Sequence, residues 1–245
     1  MMRLVRLPDL ETVSREGAEV FSRLAREAVG SRGVFHVALS GGSTPKRMFQ
    51  MLADQGRHSL PWDRIQLWWG DERTVPPDHA DSNYRMAREA LIAPLGIVDA
   101  NVHRMRGEDA DHAAAAAAYE RELVGALGSP PVLDLALQGM GPDGHTASLF
   151  PGSPAVGDSA HYVVANPVDS PVAKGKTVRI TMTARAINAA RAVAFLVGGA
   201  DKADSLAHVI HGPHEPARYP SQLIAGSNVT WFVDAAAAAK LGGTP

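Results

Sequence analysis

The feature that most constrains this chain is a repeated order: a short apolar run, a turn carrying glycine or charge, then a stretch of helical period. Residues 34–39 read as a strand and run into Ser40-Gly41-Gly42-Ser43-Thr44-Pro45, whose proline suits the first turn of a helix. Ile65–Trp69 and 133–138 repeat the strand pattern, 83–92 is helical, and a short helix is expected to start at Gly144. Further on, 178–182, 192–197 and 229–233 read as strands, with a helix over 201–210. Alternation of this kind predicts an α/β fold, a mostly parallel sheet covered by helices on both faces. Apolar residues at Leu10, Val13, Val20, Phe21, Leu24 and Ala28 predict that the chain opens with a helix over 10–29. An alanine-rich helix over 108–127 follows from propensity alone. The stretch 168–178, flanked by Pro167 and holding Pro171 and Gly175, reads as an exposed irregular loop.

Composition narrows the chemistry. With 245 residues, 45% of them apolar, the chain suits one α/β domain over 1–245, and no linker or fixed-period repeat divides it. The formal net charge is -2 with both signs interspersed, which leaves no basic face for nucleic acid and no polybasic run for a membrane. The expected partner is a small molecule. The absence of cysteine excludes a disulfide framework, thiolate metal ligation and a cysteine nucleophile, so any nucleophile is an oxygen group or water. No apolar leader or membrane-length window is visible, and the expectation is a cytoplasmic protein.

Three motifs stand at strand ends, where ligands gather in open parallel sheets. In the first, Ser40, Gly41, Gly42, Ser43 and Thr44 form a plausible phosphate cradle, because glycine lets backbone N–H groups approach an anion and a helix N-terminus favours negative charge. A tight turn with Ser43 or Thr44 as helix cap explains the same residues equally well. The second, Trp69-Gly70-Asp71-Glu72-Arg73-Thr74-Val75-Pro76, offers Arg73 for a phosphate or an oxyanion; a surface ion-pair cluster is the plainer alternative. Ser82 and Asn83 read as caps of the next helix. The third, Gly139-Met140-Gly141-Pro142-Asp143-Gly144-His145-Thr146-Ala147-Ser148-Leu149-Phe150-Pro151, places a histidine beside an acid among glycines, which suits a general base held close to a ligand. Asp143 either orients the imidazole or accepts hydrogen bonds within the turn. Lys174, Lys176 and Arg179 form a basic cluster that could complete an anion pocket or remain solvated. The other histidines, among them His79, His103, His208, His211 and His214, show no metal-ligand spacing, so no metal and no organic cofactor are expected.

Taken in this order and at these separations, the motifs resemble the 6-phosphogluconolactonase family. The likeness continues through Arg179-Ile180-Thr181-Met182-Thr183 and Val197-Gly198-Gly199-Ala200-Asp201-Lys202 to Trp231-Phe232-Val233-Asp234, nearly the whole chain. It implies a Rossmann-like fold similar to sugar-phosphate isomerases and hydrolysis of a phosphorylated sugar lactone in the pentose phosphate pathway, by a monomer or weak oligomer. The expected roles are His145 as general base on water, Asp143 beside it and Arg73 on the oxyanion or phosphate. The 6-phosphate is expected at the Ser40–Thr44 loop, with Arg179 and one of Lys174 or Lys176. Where the family shows a compact Ser-Pro-Lys-Pro-Pro stretch, this chain has Ser170-Pro171-Val172-Ala173-Lys174-Gly175-Lys176, which leaves two lysines for one position. Glucosamine-6-phosphate deaminases are similar in fold, but their histidine loop continues into an Ile-Ala-Phe-Asn-Glu type sequence, and Thr146-Ala147-Ser148-Leu149-Phe150 lacks that acid. A noncatalytic sugar-phosphate sensor is the third reading, because a fold does not fix a function.

Overall fold

The computed structural model describes residues 2–242. Its elements, in chain order, begin with β1 (Arg3–Leu7), α1 (Leu10–Arg32), β2 (Phe35–Leu39), α2 (Ser43–Asp54), β3 (Ile65–Trp69), β4 (Asp71–Arg73), α3 (Asn83–Ala87), α4 (Ala93–Leu95) and α5 (His112–Leu127). They continue with β5 (Leu135–Gln138), β6 (Val163–Ser170), β7 (Gly175–Met182), α6 (Ala184–Asn188), β8 (Val193–Val197), α7 (Ala203–His211) and β9 (Val229–Asp234). Six strands form one sheet in the order β1-β9-β8-β5-β2-β3, and every pairing in it is parallel. All residues of β5 and β8 are buried, so both faces of the central sheet are covered, as continuous apolar runs such as Val-Ala-Phe-Leu-Val require.

Register lines the large side chains up. Phe195 on β8 pairs with Trp231 on β9, and their rings stack 3.7 Å apart. Phe21 of α1 meets Phe35 of β2 edge to face at 5.3 Å, which presses the apolar stripe of that helix onto the sheet. Each such fully buried ring contributes about 1.5–3 kcal/mol through area removed from water. Buried Tyr119 ties α5 to β3: its hydroxyl accepts the Trp69 N–H at 2.8 Å and lies 3.1 Å from the His103 carbonyl.

A second sheet, antiparallel in the order β4-β7-β6, grows from the end of β3. Gly70 joins the two: its N–H donates to the Leu39 carbonyl of β2, and its own carbonyl accepts from Met182 of β7. In the main sheet the chain steps outward from β2 to β3 and then returns to the other side of β2 as β5. Strand order therefore reverses between β2 and β5, and a crevice opens at their carboxyl ends.

Four expectations need correction. The chain opens with a strand: β1 is an edge strand whose Arg3 and Arg6 interrupt the apolar run that would have marked it. No helix starts at Gly144, because Ala147 adopts φ 47° and Thr146 bridges back to Leu149. The stretch 168–178 is the core of the β6–β7 hairpin. Pro167 is tolerated there because β6 is the outer strand of its sheet and the proline faces solvent. The helix over 83–92 widens into a π turn at Arg88–Ile92 before α4; Pro94 lacks an N–H and would clash with the carbonyl four residues back, and the wider turn relieves both.

Candidate active site

The three motif loops meet at the strand reversal. Ser40, Gly41 and Gly42 follow β2, Asp71 and Arg73 continue from β3, and Gly139, Met140, Gly141, His145 and Ala147 follow β5; together with Asn83 they line a cavity of about 190 Å³. Residues distant in sequence converge because β5, β2 and β3 are neighbours in the sheet.

The glycine loop enters α2 without a side-chain cap. Gly42, not Ser43 or Thr44, is the N-cap, and it makes no side-chain hydrogen bond. The amide groups of this helix start are thus not consumed by a cap from their own loop. Ser43 is exposed and Thr44 buried, and neither lines the cavity. Gly41 is demanded by contact: a Cβ there would lie 2.0 Å from Asn83 Oδ1.

The Asp-Glu-Arg triplet is not a surface cluster, since Asp71 and Glu72 are both buried. Glu72 gathers the start of α3: Oε1 accepts from the backbone of Arg73 and Asn83, and Oε2 accepts from Tyr84 N–H and Ser82 Oγ. Burial pushes its carboxyl above the usual range although the backbone donors pull the other way. Asp71 accepts from Ser148 Oγ at 2.6 Å and from Asn83 Nδ2 at 3.2 Å, which binds the second motif to the third. Ser82 caps α3 as the sequence suggests, its Oγ accepting from Arg85 N–H. Asn83 is not a cap but the first residue of α3, and only its place eleven and twelve residues after Glu72 and Asp71 hints at its tie to them. Arg73 donates to the Asp81 carbonyl at 2.6 Å.

His145 is held from three sides. Its Nδ1 lies 2.5 Å from Asp143 Oδ1, its ring stacks on Phe150 at 4.2 Å, and a Cβ on residue 141 would sit 2.1 Å from the imidazole. Burial works to raise the Asp143 carboxyl, but the hydrogen bonds and charge of His145 outweigh it and hold the group below its ordinary value. The loop is fixed to the sheets by Thr146 Oγ1 on Gln138 Oε1 at 2.8 Å and by Ser148 N–H on Thr181 Oγ1 at 3.1 Å.

The basic cluster divides. Arg179 on β7 faces Arg73 on β4 across the antiparallel pair. Burial first, and the neighbouring Arg73 charge second, lower the guanidinium pKa of Arg179, and its buried Nε has no hydrogen-bond partner. Lys174, in the left-handed conformation at the hairpin tip, reaches the Asp81 carboxylate at 2.7 Å. Lys176 points to Asp169 across the hairpin at 3.9 Å and is 87% exposed. None of these three lines the cavity itself. Among the described residues, no group of three or more His, Asp or Glu side chains gathers as metal ligands.

Fold and site together define an α/β protein with its candidate site at the carboxyl ends of a parallel sheet. The chain belongs to the family of glucosamine-6-phosphate isomerases/6-phosphogluconolactonase, whose model matches residues 8–232. Among its relatives is a 6-phosphogluconolactonase of Nostoc sp., 40% identical over 240 residues and covering 96% of both chains. One of Mycobacterium tuberculosis is 42% identical, covering 87% of this chain and 88% of the other. The solved 6-phosphogluconolactonase of Trypanosoma cruzi superposes with a TM-score of 0.88 at 30% identity, over 98% of this chain and 97% of the other. A monomeric glucosamine-6-phosphate deaminase superposes at 0.84 with 19% identity, over 98% of this chain and 100% of the other, a likeness of fold alone.

Proposed function

We propose that this chain hydrolyses 6-phospho-D-glucono-1,5-lactone to 6-phosphogluconate in the oxidative branch of the pentose phosphate pathway, with His145 as general base. Lactone hydrolysis rests on the 6-phosphogluconolactonase relatives, similar over nearly the whole chain. The role of His145 rests on one observation: the imidazole paired with Asp143 lines the same cavity as Arg73 and the glycine loop.

The Asp143 carboxylate accepts from Nδ1–H and so fixes the tautomer in which Nε2 is the free base. Nε2 takes a proton from water while the water oxygen bonds to the lactone carbonyl carbon. The tetrahedral oxyanion collapses, the ring C–O bond breaks, and the proton held by His145 passes to the departing ring oxygen. Arg73, cationic and on the cavity wall, is assigned to the oxyanion or the phosphate. The phosphoryl group is assigned to the Ser40–Thr44 loop at the start of α2, with Arg179 and Lys174 as the nearby cations. A positioned base contributes roughly 10²- to 10⁴-fold, and binding the remote phosphate orients the carbonyl.

Phosphorylated sugars carry too much charge to cross a bilayer unaided, and the reaction is proposed to run in the cytoplasm. The form proposed with it is a monomer or weak oligomer, as the family likeness implies. The test is hydrolysis of freshly prepared lactone against its spontaneous background, beside His145→Ala. Acceleration lost in the variant is the expected result; a variant with undiminished kcat removes His145 as the base. Ammonia release from glucosamine 6-phosphate by the wild-type protein would instead favour the deaminase reading.

A further inference from the structure

Asp81 stands where a purely structural residue need not be. Its carboxylate holds Lys174 Nζ through both oxygens, at 2.7 and 2.8 Å, and its carbonyl accepts from Arg73 Nη1 at 2.6 Å. The charge of Arg73 acts on the Asp81 carboxyl, and Asp71, Asp81 and Glu72, in that order, act on Arg179. One acid thus lies within electrostatic reach of all three cations around the proposed phosphate position, while the nearby Asp71 and Glu72 are engaged with Asn83, Ser148 and the start of α3.

The pair is also built to open. Asp81 and Lys174 are 42% and 74% exposed at their side chains, and an exposed pair of this kind is weak. Arg179 Nη2 donates to the Ala173 carbonyl at 3.2 Å while its buried Nε has no partner, so the guanidinium keeps donor capacity unspent for an anion that reaches it. A phosphoryl group carries about -1.5 to -2 charges at neutral pH and three acceptor oxygens, against the single charge of a carboxylate.

We propose that Asp81 is an internal competitor for the substrate's phosphoryl group: it occupies Lys174 and screens the two arginines, and the phosphate must displace it to bind. The inference rests on the reading that Lys174 and Arg179 receive the 6-phosphate. Asp81 thereby selects for dianionic phosphate esters. A singly charged anion gains no more from Lys174 than the tethered carboxylate already supplies, and the carboxylate has the advantage of being attached. Unphosphorylated lactones and carboxylate-bearing sugars gain nothing from displacing it. Because an exposed pair is weak, the competition costs a true substrate no more than about five-fold in affinity.

The sign of the effect separates this role from a structural one. As a competitor, Asp81→Asn lowers KM for the phosphorylated lactone by about two- to five-fold, lowers the inhibition constant of inorganic phosphate by a similar factor, and shifts kcat less than KM. As a mere staple for the hairpin tip, the same change raises KM and lowers the melting temperature. In a Lys174→Gln background, Asp81→Asn is expected to lose most of its effect on KM, because the two residues act as a pair. An unchanged or raised KM in Asp81→Asn, with Lys174→Gln and Arg179→Ala both raising KM, overturns the competitor role and leaves the phosphate assignment standing. If Lys174→Gln and Arg179→Ala leave KM unmoved, the phosphate assignment itself falls. Folding of each variant is read from its melting curve, and Asp81→Ser supplies a second neutral replacement.

Discussion

Asp143 and His145, two residues apart in one turn, face each other across 2.5 Å, so the imidazole's orientation is set within its own loop. Replacing the acid by its amide keeps the shape and removes the charge, which no longer favours the Nδ1–H tautomer. Asp143→Asn is therefore expected to lower kcat by about 10²- to 10⁴-fold with a small change in KM, measured on fresh lactone.

The same pair carries a pH signature in stability. A carboxyl held below its ordinary value stabilises the folded state in full above that ordinary value, near 3.8, and loses the contribution as pH falls through the lower folded-state value. Melting temperatures of wild type and Asp143→Asn should differ at neutral pH and converge in strong acid. A gap that widens on acidification would reverse the assignment.

Asn83 Oδ1 occupies the space beside Gly41, and it cannot swing away freely because Nδ2 donates to Asp71. Gly41→Ala is expected to cost about 1–3 kcal/mol in urea unfolding, as overpacking does, and to cut kcat/KM by displacing the glycine loop. Adding Asn83→Gly should recover part of the stability lost to Gly41→Ala, since it removes the obstructing group.

At Glu72 four donors meet two oxygens. In Glu72→Gln, Ser82 Oγ can turn and accept from the new amide, but the Tyr84 N–H faces another donor and is left unpaired. Neutralising a buried carboxyl recovers some desolvation energy, yet an orphaned buried N–H costs about 1–3 kcal/mol, and net destabilisation in urea is expected.

The two lysines should separate cleanly. Lys176 meets only Asp169 at long range, so Lys176→Gln is expected to leave KM for the lactone within experimental scatter. Lys174→Gln is expected to raise it several-fold. Equal effects from both would place the hairpin tip differently over the site.

The convergence of the glycine loop and the histidine loop was legible because each is a local event: Ser40 to Thr44 and Gly139 to Phe150 each follow an apolar strand, and strand ends are where such sheets bind ligands. The Asp71–Asn83–Ser148 contacts were not legible, because they join three loops whose adjacency depends on strand order rather than on spacing. The hairpin failed for a local reason. Pro167, Pro171 and Gly175 read as loop residues, and only the outer position of β6 makes that proline acceptable. Likewise Arg3 and Arg6 conceal β1, whose edge position lets its charges reach water.

That first strand carries a consequence for how the protein is made. β1 has one neighbour in the sheet, β9, which leaves the ribosome more than two hundred residues later. β1 must therefore wait without its sheet neighbour while all the residues between it and β9 are made, and this sheet edge closes only once β9 has emerged.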